Sequence, residues 1–298
     1  MFCEHDLNPA SASVAISPAV DPKDILLWHR RLGHLSLPAI KRIVSEDVAT
    51  GIDIHKKSPD TNCVCGACVM AKLSRNPFKS VDHTGQRTKP LELIHSDVMG
   101  PTQTASFGGK RYAIFFTDDA TRITRVYFMK AKSEAPERFQ DYRAEVEMWF
   151  DRSIKRIRVD GGGGYSNAEF IAYLANNGII KETTAPYSSQ QNGVSERCNW
   201  TVVDPARSML KAAGMPNIFW AEAVSTAVFL KNLVATRALP KGATPFEKWF
   251  GMKPNLKNLR TFGCLAYVWN PDTTTRKKFD DRATKIVLIG YGATGSHY

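Results

Sequence analysis

Three carboxylates and a quartet of nitrogen and sulfur donors are the side chains whose types and spacing suit chemistry. Asp97 closes an apolar run, Leu91-Glu92-Leu93-Ile94-His95-Ser96-Asp97-Val98, and Asp160 closes another that contains Ile157 and Val159. Glu196 follows Asp160 after thirty-five intervening residues, in Gln190-Gln191-Asn192-Gly193-Val194-Ser195-Glu196-Arg197, at the start of an expected helix. Displacement at a phosphodiester develops charge on the attacking and leaving oxygens, and two magnesium or manganese ions about 4 Å apart, held by hard carboxylates, neutralise it. Three acids are about the minimum for that task. A single Asp at a strand end is more often a turn former, so it is the joint pattern that points to metal.

The second group is His29 and His34, separated by four residues, with Cys65 and Cys68, separated by two. Imidazoles and thiolates in that pairing suit tetrahedral zinc. A segment of about fifty residues has too small a core to fold firmly without such a staple. Cys63 competes with Cys65, because thiol spacing alone does not choose between them. Three of the six cysteines fall within six residues, which fits a metal site better than a disulfide framework.

These side chains need elements to carry them. The pattern predicts strands over 91–98, 112–117 and 123–130, then a helix over 133–150 with apolar residues at Phe139, Tyr142, Val146 and Trp149. Pro136 is tolerated there because it falls in the first turn. A strand over 154–160, a helix over 167–177 and a strand over 179–184 follow, giving an α/β domain with a mixed sheet flanked by helices. A helix over 37–45 is expected in the zinc-stapled module. Helices opening near Gln190 and over 219–234 come after the sheet, and strand-like runs over 264–269 and 285–290 suggest a short β-rich tail. The expected division is a disordered leader (1–24), the zinc module (25–80), the α/β core (88–252) and the tail (253–298). Gly161 to Gly164 lack the Lys-Ser/Thr of a P-loop and the spacing of a dinucleotide fingerprint, so nucleotide binding is not indicated.

The chain has 298 residues, is 43% apolar and carries a formal charge of +11. That bulk supports a real core, and the charge points to a polyanionic partner. From Ala206 onward fourteen Lys or Arg stand against five Asp or Glu, +9 of the +11. The start lacks the basic region of a signal peptide, and the most apolar helix candidate carries Glu222, Lys231 and Asn232, too polar for a membrane span.

At several motifs the sequence resembles the integrase of copia-type LTR retrotransposons. Leu27-Trp28-His29-Arg30-Arg31-Leu32-Gly33-His34 with Cys65-Gly66-Ala67-Cys68 is similar to that family's pre-integrase HHCC module. His95-Ser96-Asp97-Val98-Met99-Gly100-Pro101, Asp118-Asp119, Ala185-Pro186-Tyr187, Gln190 to Arg197, Phe219-Trp220-Ala221-Glu222-Ala223 and Phe262-Gly263-Cys264-Leu265-Ala266-Tyr267 resemble its core signatures. The resemblance implies a fragment of a Gag-Pol polyprotein with an RNase H-like fold. It assigns a D,D-35-E triad to Asp97, Asp160 and Glu196 on two Mg²⁺ or Mn²⁺ ions, and structural zinc to His29, His34, Cys65 and Cys68. It implies a polynucleotidyl transferase that joins element cDNA ends to host DNA, in the nucleus, as a homo-multimer. Phosphates would be held by Gln190, Asn192, Arg197, Lys211, Arg276, Lys277 and Lys278, with Lys181 beside them.

Some residues depart from that pattern. Gly161 and Gly164 stand where the family usually has Asn and Glu, and Cys198 and Trp200 stand where it has basic residues. Pro205 falls inside the helix of Glu196, where it removes the bond to the Thr201 carbonyl and is expected to kink the helix or cost about 3 kcal/mol. The alternative to an integrase is therefore a catalytically decayed, zinc-stabilised DNA-binding remnant.

Overall fold

The near-continuous apolar run Tyr-Ala-Ile-Phe-Phe-Thr-Asp can only be satisfied as a strand covered on both faces, and the rest of the fold supplies the two covers. The computed structural model describes residues 21, 23–55, 65–72, 89–150, 152–159, 165, 168–183, 193–269 and 277–292. Three helices come first: α1 (Ile25–Arg31), α2 (Leu37–Ser45) and α3 (Gly66–Lys72). Then come β1 (Ile94–Met99), β2 (Tyr112–Asp118), β3 (Thr124–Met129), α4 (Ala135–Phe150), β4 (Arg156–Val159), α5 (Ala168–Asn176) and β5 (Ile180–Thr183). The long helices α6 (Gly193–Ala212) and α7 (Trp220–Asn232), short α8 (Pro245–Phe250), and strands β6 (Leu265–Trp269) and β7 (Ala283–Val287) complete the order.

The five-stranded sheet runs β3-β2-β1-β4-β5, antiparallel across its first three strands and parallel from β1 to β4 to β5. This is the mixed RNase H-like sheet expected from the sequence. Alternation divides its side chains. Ile94, Ile114, Phe116, Ile157 and Val159 pack with α4 and α5 through Phe139, Tyr142, Val146, Phe170 and Leu174. Phe116 stacks on Tyr142 at 4.7 Å between ring centroids and lies 5.8 Å from Phe139. Each such aromatic contributes roughly 1.5–3 kcal/mol by leaving water.

The opposite face, with Ala113 and Phe115, packs against α6 and α7. The polar residues that keep α7 from reading as a membrane span have a use here: Asn232 accepts from the Thr124 amide at 3.0 Å and donates to the Thr124 carbonyl at 2.8 Å, while Lys231 donates to the Thr124 hydroxyl at 2.7 Å. Among the described residues no helix is long and apolar enough to cross a membrane. The helix α6 runs on through Pro205 rather than ending at it.

The first helices do not form a core of their own. Ile25, Trp28, Leu32, Ile40 and Ile43 share one apolar cluster with Val202, Met209, Val224 and Leu230 of α6 and α7. Gly33, at φ +63°, sits where a Cβ would come within 2.9 Å of Leu230 Cδ1, so the turn after α1 is pressed onto α7. Residues beyond α8 join in: Leu256, Leu259 and Phe262 belong to the same cluster, and Thr50 forms a β-bridge with Asn255. Among the described residues the strands β6 and β7 pair with each other alone, as a small tail sheet.

The turn from β2 to β3 rests on one buried carboxylate. Asp118 accepts from the Leu91 amide at 2.8 Å and from the Thr121 amide and hydroxyl, each at 2.7 Å. Burial pushes this carboxyl up from its ordinary value, against the lowering effect of those bonds. Asp118→Ala would leave buried donors unmatched and is expected to cost about 3 kcal/mol, measurable as a lower urea midpoint at unchanged slope. A midpoint within error of the parent would refute this account of the turn.

Candidate metal sites and nucleic-acid interface

The histidines come from one short stretch of chain, 29–34, and the cysteines from another, 65–68. His29 lies on the last turn of α1, His34 follows the Gly33 turn, Cys65 immediately precedes α3 and Cys68 is on it. One ligand atom from each lies within 4.8 Å of all the others, with both histidines buried. His34 Nδ1 is 3.4 Å from Cys65 Sγ and 3.5 Å from Cys68 Sγ, and His29 Nε2 is 3.4 Å from Cys68 Sγ and 3.1 Å from His34 Nδ1. Zinc–ligand bonds of about 2.0–2.3 Å imply tetrahedron edges of roughly 3.3–3.8 Å, so this donor set closes around one ion with little movement. His29 Nδ1 donates to the Leu35 carbonyl at 2.7 Å, which fixes the tautomer that leaves Nε2 as the metal-facing lone pair. Cys63 lies outside the described residues, and among the described ones Cys65 completes the four-donor group.

The cluster is tied to the helix that carries Glu196. Helix α3 packs along α6, and Arg207 of α6 donates to the Ala71 carbonyl of α3 at 3.0 Å.

Of the three acids, Asp97 is the one with a described side chain. It is half-buried on β1, and its Oδ1 accepts from the Val98 amide at 2.8 Å, which leaves the carboxylate aimed by its own backbone. The parallel register sets Ser96 opposite Val159, the last residue of β4, so Asp97 stands beside the point where the chain leaves that strand. Asp160 itself lies outside the described residues. Glu196 falls in the first turn of α6, a helix packed against β1, and its side chain is likewise outside the description. The acid-bearing strand and the acid-bearing helix are thus brought together.

Next to Asp97 the structure adds polar groups to which the sequence reading gave no role. His95 Nε2 is 2.9 Å from Asp119 Oδ1, both buried, and Arg122 Nη1 is 3.2 Å from the same oxygen. The sequence signals were two separate motifs, His95 to Pro101 and Asp118-Asp119, neither of which revealed that His95 and Asp119 pair across twenty-four residues. Ser96 Oγ and the hydroxyl of buried Tyr165 are hydrogen-bonded, and burial pushes that phenol well above its ordinary value.

Of the candidate phosphate-holding residues, Gln190, Asn192 and Arg276 lie outside the described residues. Arg197 is on α6 with its side chain undescribed, while Lys211, Lys277 and Lys278 are exposed. Lys181 is engaged differently: its Nζ donates to the Tyr165 carbonyl at 2.6 Å.

Comparison with known proteins gives two domain matches: residues 3–73 match the GAG-pre-integrase domain, and 264–298 match the retroviral polymerase SH3-like domain. The retrovirus-related Pol polyprotein from transposon TNT 1-94 of Nicotiana tabacum is 34% identical over 98% of this chain, and that from transposon RE2 of Arabidopsis thaliana is 32% identical over 97%. The chain spans 21% and 19% of the length of those relatives. Among solved structures, a chain of the simian T-cell lymphotropic virus intasome in complex with PP2A regulatory subunit B56 gamma aligns over 75% of this chain and 76% of its own. The identity is 16% and the TM-score 0.47, a distant likeness.

Proposed function

We propose that this chain, which belongs to the Pol polyproteins of copia-type retrotransposons, is their integrase portion and joins element cDNA 3′-ends to host DNA by transesterification. The observation that carries the reading is the register of β1 against β4, which sets Asp97 beside the exit of β4, with α6 packed against β1. A sheet built this way can converge Asp97, Asp160 and Glu196. Asp97 offers a half-buried hard oxygen donor, suited to Mg²⁺ or Mn²⁺ rather than to softer metals. Ions held by the three carboxylates would supply Lewis-acid stabilisation of the charge that develops on phosphoryl oxygens. The chain's own share is to hold the DNA strands and fix the carboxylates that aim them.

His29, His34, Cys65 and Cys68 hold structural zinc in this reading, and the division into 25–80, 88–252 and 253–298 follows the zinc module, catalytic core and basic tail. Arg197, Lys211, Lys277 and Lys278, with Gln190, Asn192 and Arg276, contact DNA phosphates. Binding therefore weakens steeply as salt rises. The active form is a homo-multimer working on nuclear DNA. A second reading, a binding remnant without catalysis, is favoured by Trp200, which is 66% exposed one helical turn beyond Glu196 where the family carries a basic residue.

The test is incubation of the full chain with a blunt-ended duplex, a supercoiled plasmid and Mg²⁺. Covalent joining of duplex 3′-ends to plasmid is the expected result. Salt-sensitive binding with no joined product would overturn the integrase reading in favour of the remnant, and nicking without joining would mark a nuclease of the same fold.

A further inference from the structure

The inward positions of β1 read Ile94, Ser96, Val98, so one hydroxyl interrupts an apolar row facing α4 and α5. Its partner is Tyr165, 3% exposed, whose ring lies 5.4 Å from Phe170 in the same cluster and whose hydroxyl bonds Ser96 Oγ. A valine at 96 with a phenylalanine at 165 would fill this space without burying two polar groups. Such paired burial defines a specific arrangement more than it adds stability. The other end of Tyr165 is held as well, because its carbonyl accepts from Lys181 Nζ at 2.6 Å. Ser96 is on β1 and Lys181 on β5, the two strands that flank β4. Tyr165 therefore reaches from one neighbour of β4 to the other, across the strand that ends at Val159.

Five residues separate Val159 from Tyr165: Asp160 and then four glycines. Tyr165 is the next side chain after them.

We infer that Tyr165, through the Ser96 hydroxyl and the Lys181 ammonium, is a positioning residue that holds the β1 and β4 ends together for divalent-metal binding. The inference rests on the integrase reading above. Tyr165 touches neither metal nor DNA in this role. It acts through Ser96 on the adjoining Asp97.

The experiment uses the full chain and follows Mn²⁺ binding by water-proton relaxation, with Asp97→Asn defining which binding belongs to this site. Tyr165→Phe keeps the ring and removes the hydroxyl. The expected result is an affinity for the Asp97-dependent Mn²⁺ weaker by about tenfold, the usual size of effect when a group supporting a metal ligand is lost. Tm should fall by no more than a few degrees, the cost of one unmatched buried hydroxyl, and salt-dependent DNA binding should stay close to that of the parent. Ser96→Ala should reproduce the loss, and the double variant should lose no more than either single one, because both remove the same bond. Unchanged Mn²⁺ affinity in Tyr165→Phe, or additive losses in the double variant, overturns the positioning role while leaving the integrase reading intact. If the parent binds no Asp97-dependent Mn²⁺, the metal reading fails and this role fails with it.

Discussion

Asp97→Asn is expected to reduce strand transfer by at least about a thousandfold, roughly 4 kcal/mol of transition-state stabilisation, with the fold left intact. The substitution preserves shape, and the amide oxygen can still accept from the Val98 amide as Asp97 Oδ1 does at 2.8 Å. What disappears is the negative charge that a hard cation needs from this corner of the site. The residue is half-buried within the central strand, two residues before its end, and in neither apolar cluster, so the unfolding midpoint should shift by no more than a degree or two. Joined product quantified on a gel, with and without the substitution at equal DNA occupancy, decides the matter. Activity within tenfold of the parent would mean that Asp97 does not bind the catalytic ions.

The second large effect concerns the other metal. Cys68→Ser removes the thiolate that stands 3.4 Å from His29 Nε2 and 3.5 Å from His34 Nδ1, the donor that ties both histidines to α3. Zinc held by such a set contributes folding free energy outright, so the loss should be at least about 4 kcal/mol, on the order of 10 °C in Tm. Elemental analysis of the parent should give one zinc per chain and of the variant close to none, and a strong chelator should reproduce the lower Tm. Cys264→Ser, at a cysteine outside the cluster, serves as the control and should change neither quantity. A variant that loses zinc yet melts with the parent would show that the ion is not a structural staple. Because Arg207 links α6 to the Ala71 carbonyl, zinc loss should also lower the hydrogen-exchange protection of α6.

Much of this was legible in the sequence because local patterns carried it. The helix over 37–45 is read to the residue, and the strands and helices from β1 to α7 fall within a few residues of their patterned runs. The clustering of His29, His34, Cys65 and Cys68 was legible from spacing, since short loops suffice to bring each pair to one side of a common point. Other features were out of reach for the same physical reason. Periodicity tells which face of a helix is buried, not what buries it, so nothing local announced that Ile25 and Trp28 would share a cluster with α6 and α7. The His95–Asp119 pair joins β1 to the end of β2 across the sheet, and neither residue is patterned toward the other. Pro205 removes the bond to the Thr201 carbonyl and is expected to kink its helix or cost about 3 kcal/mol. The helix continues on both sides of it, where packing of Val202, Ala206 and Met209 against the core outweighs one missing bond.

The apolar cluster common to α1, α2, α6 and α7 also dictates an order of events on the ribosome. The amino-terminal helices emerge first, but the surfaces that cover them are encoded some 170 residues later, between Leu32 and Val202. At bacterial to eukaryotic translation speeds that interval is roughly 10–30 s. Throughout it, Trp28, Leu32 and Ile40 must stay shielded by chaperones or by one another. Capture of an ion by the nascent His29, His34, Cys65 and Cys68, complete as soon as residue 68 clears the exit tunnel, would fix the α1–α2 hairpin long before its permanent neighbours are made.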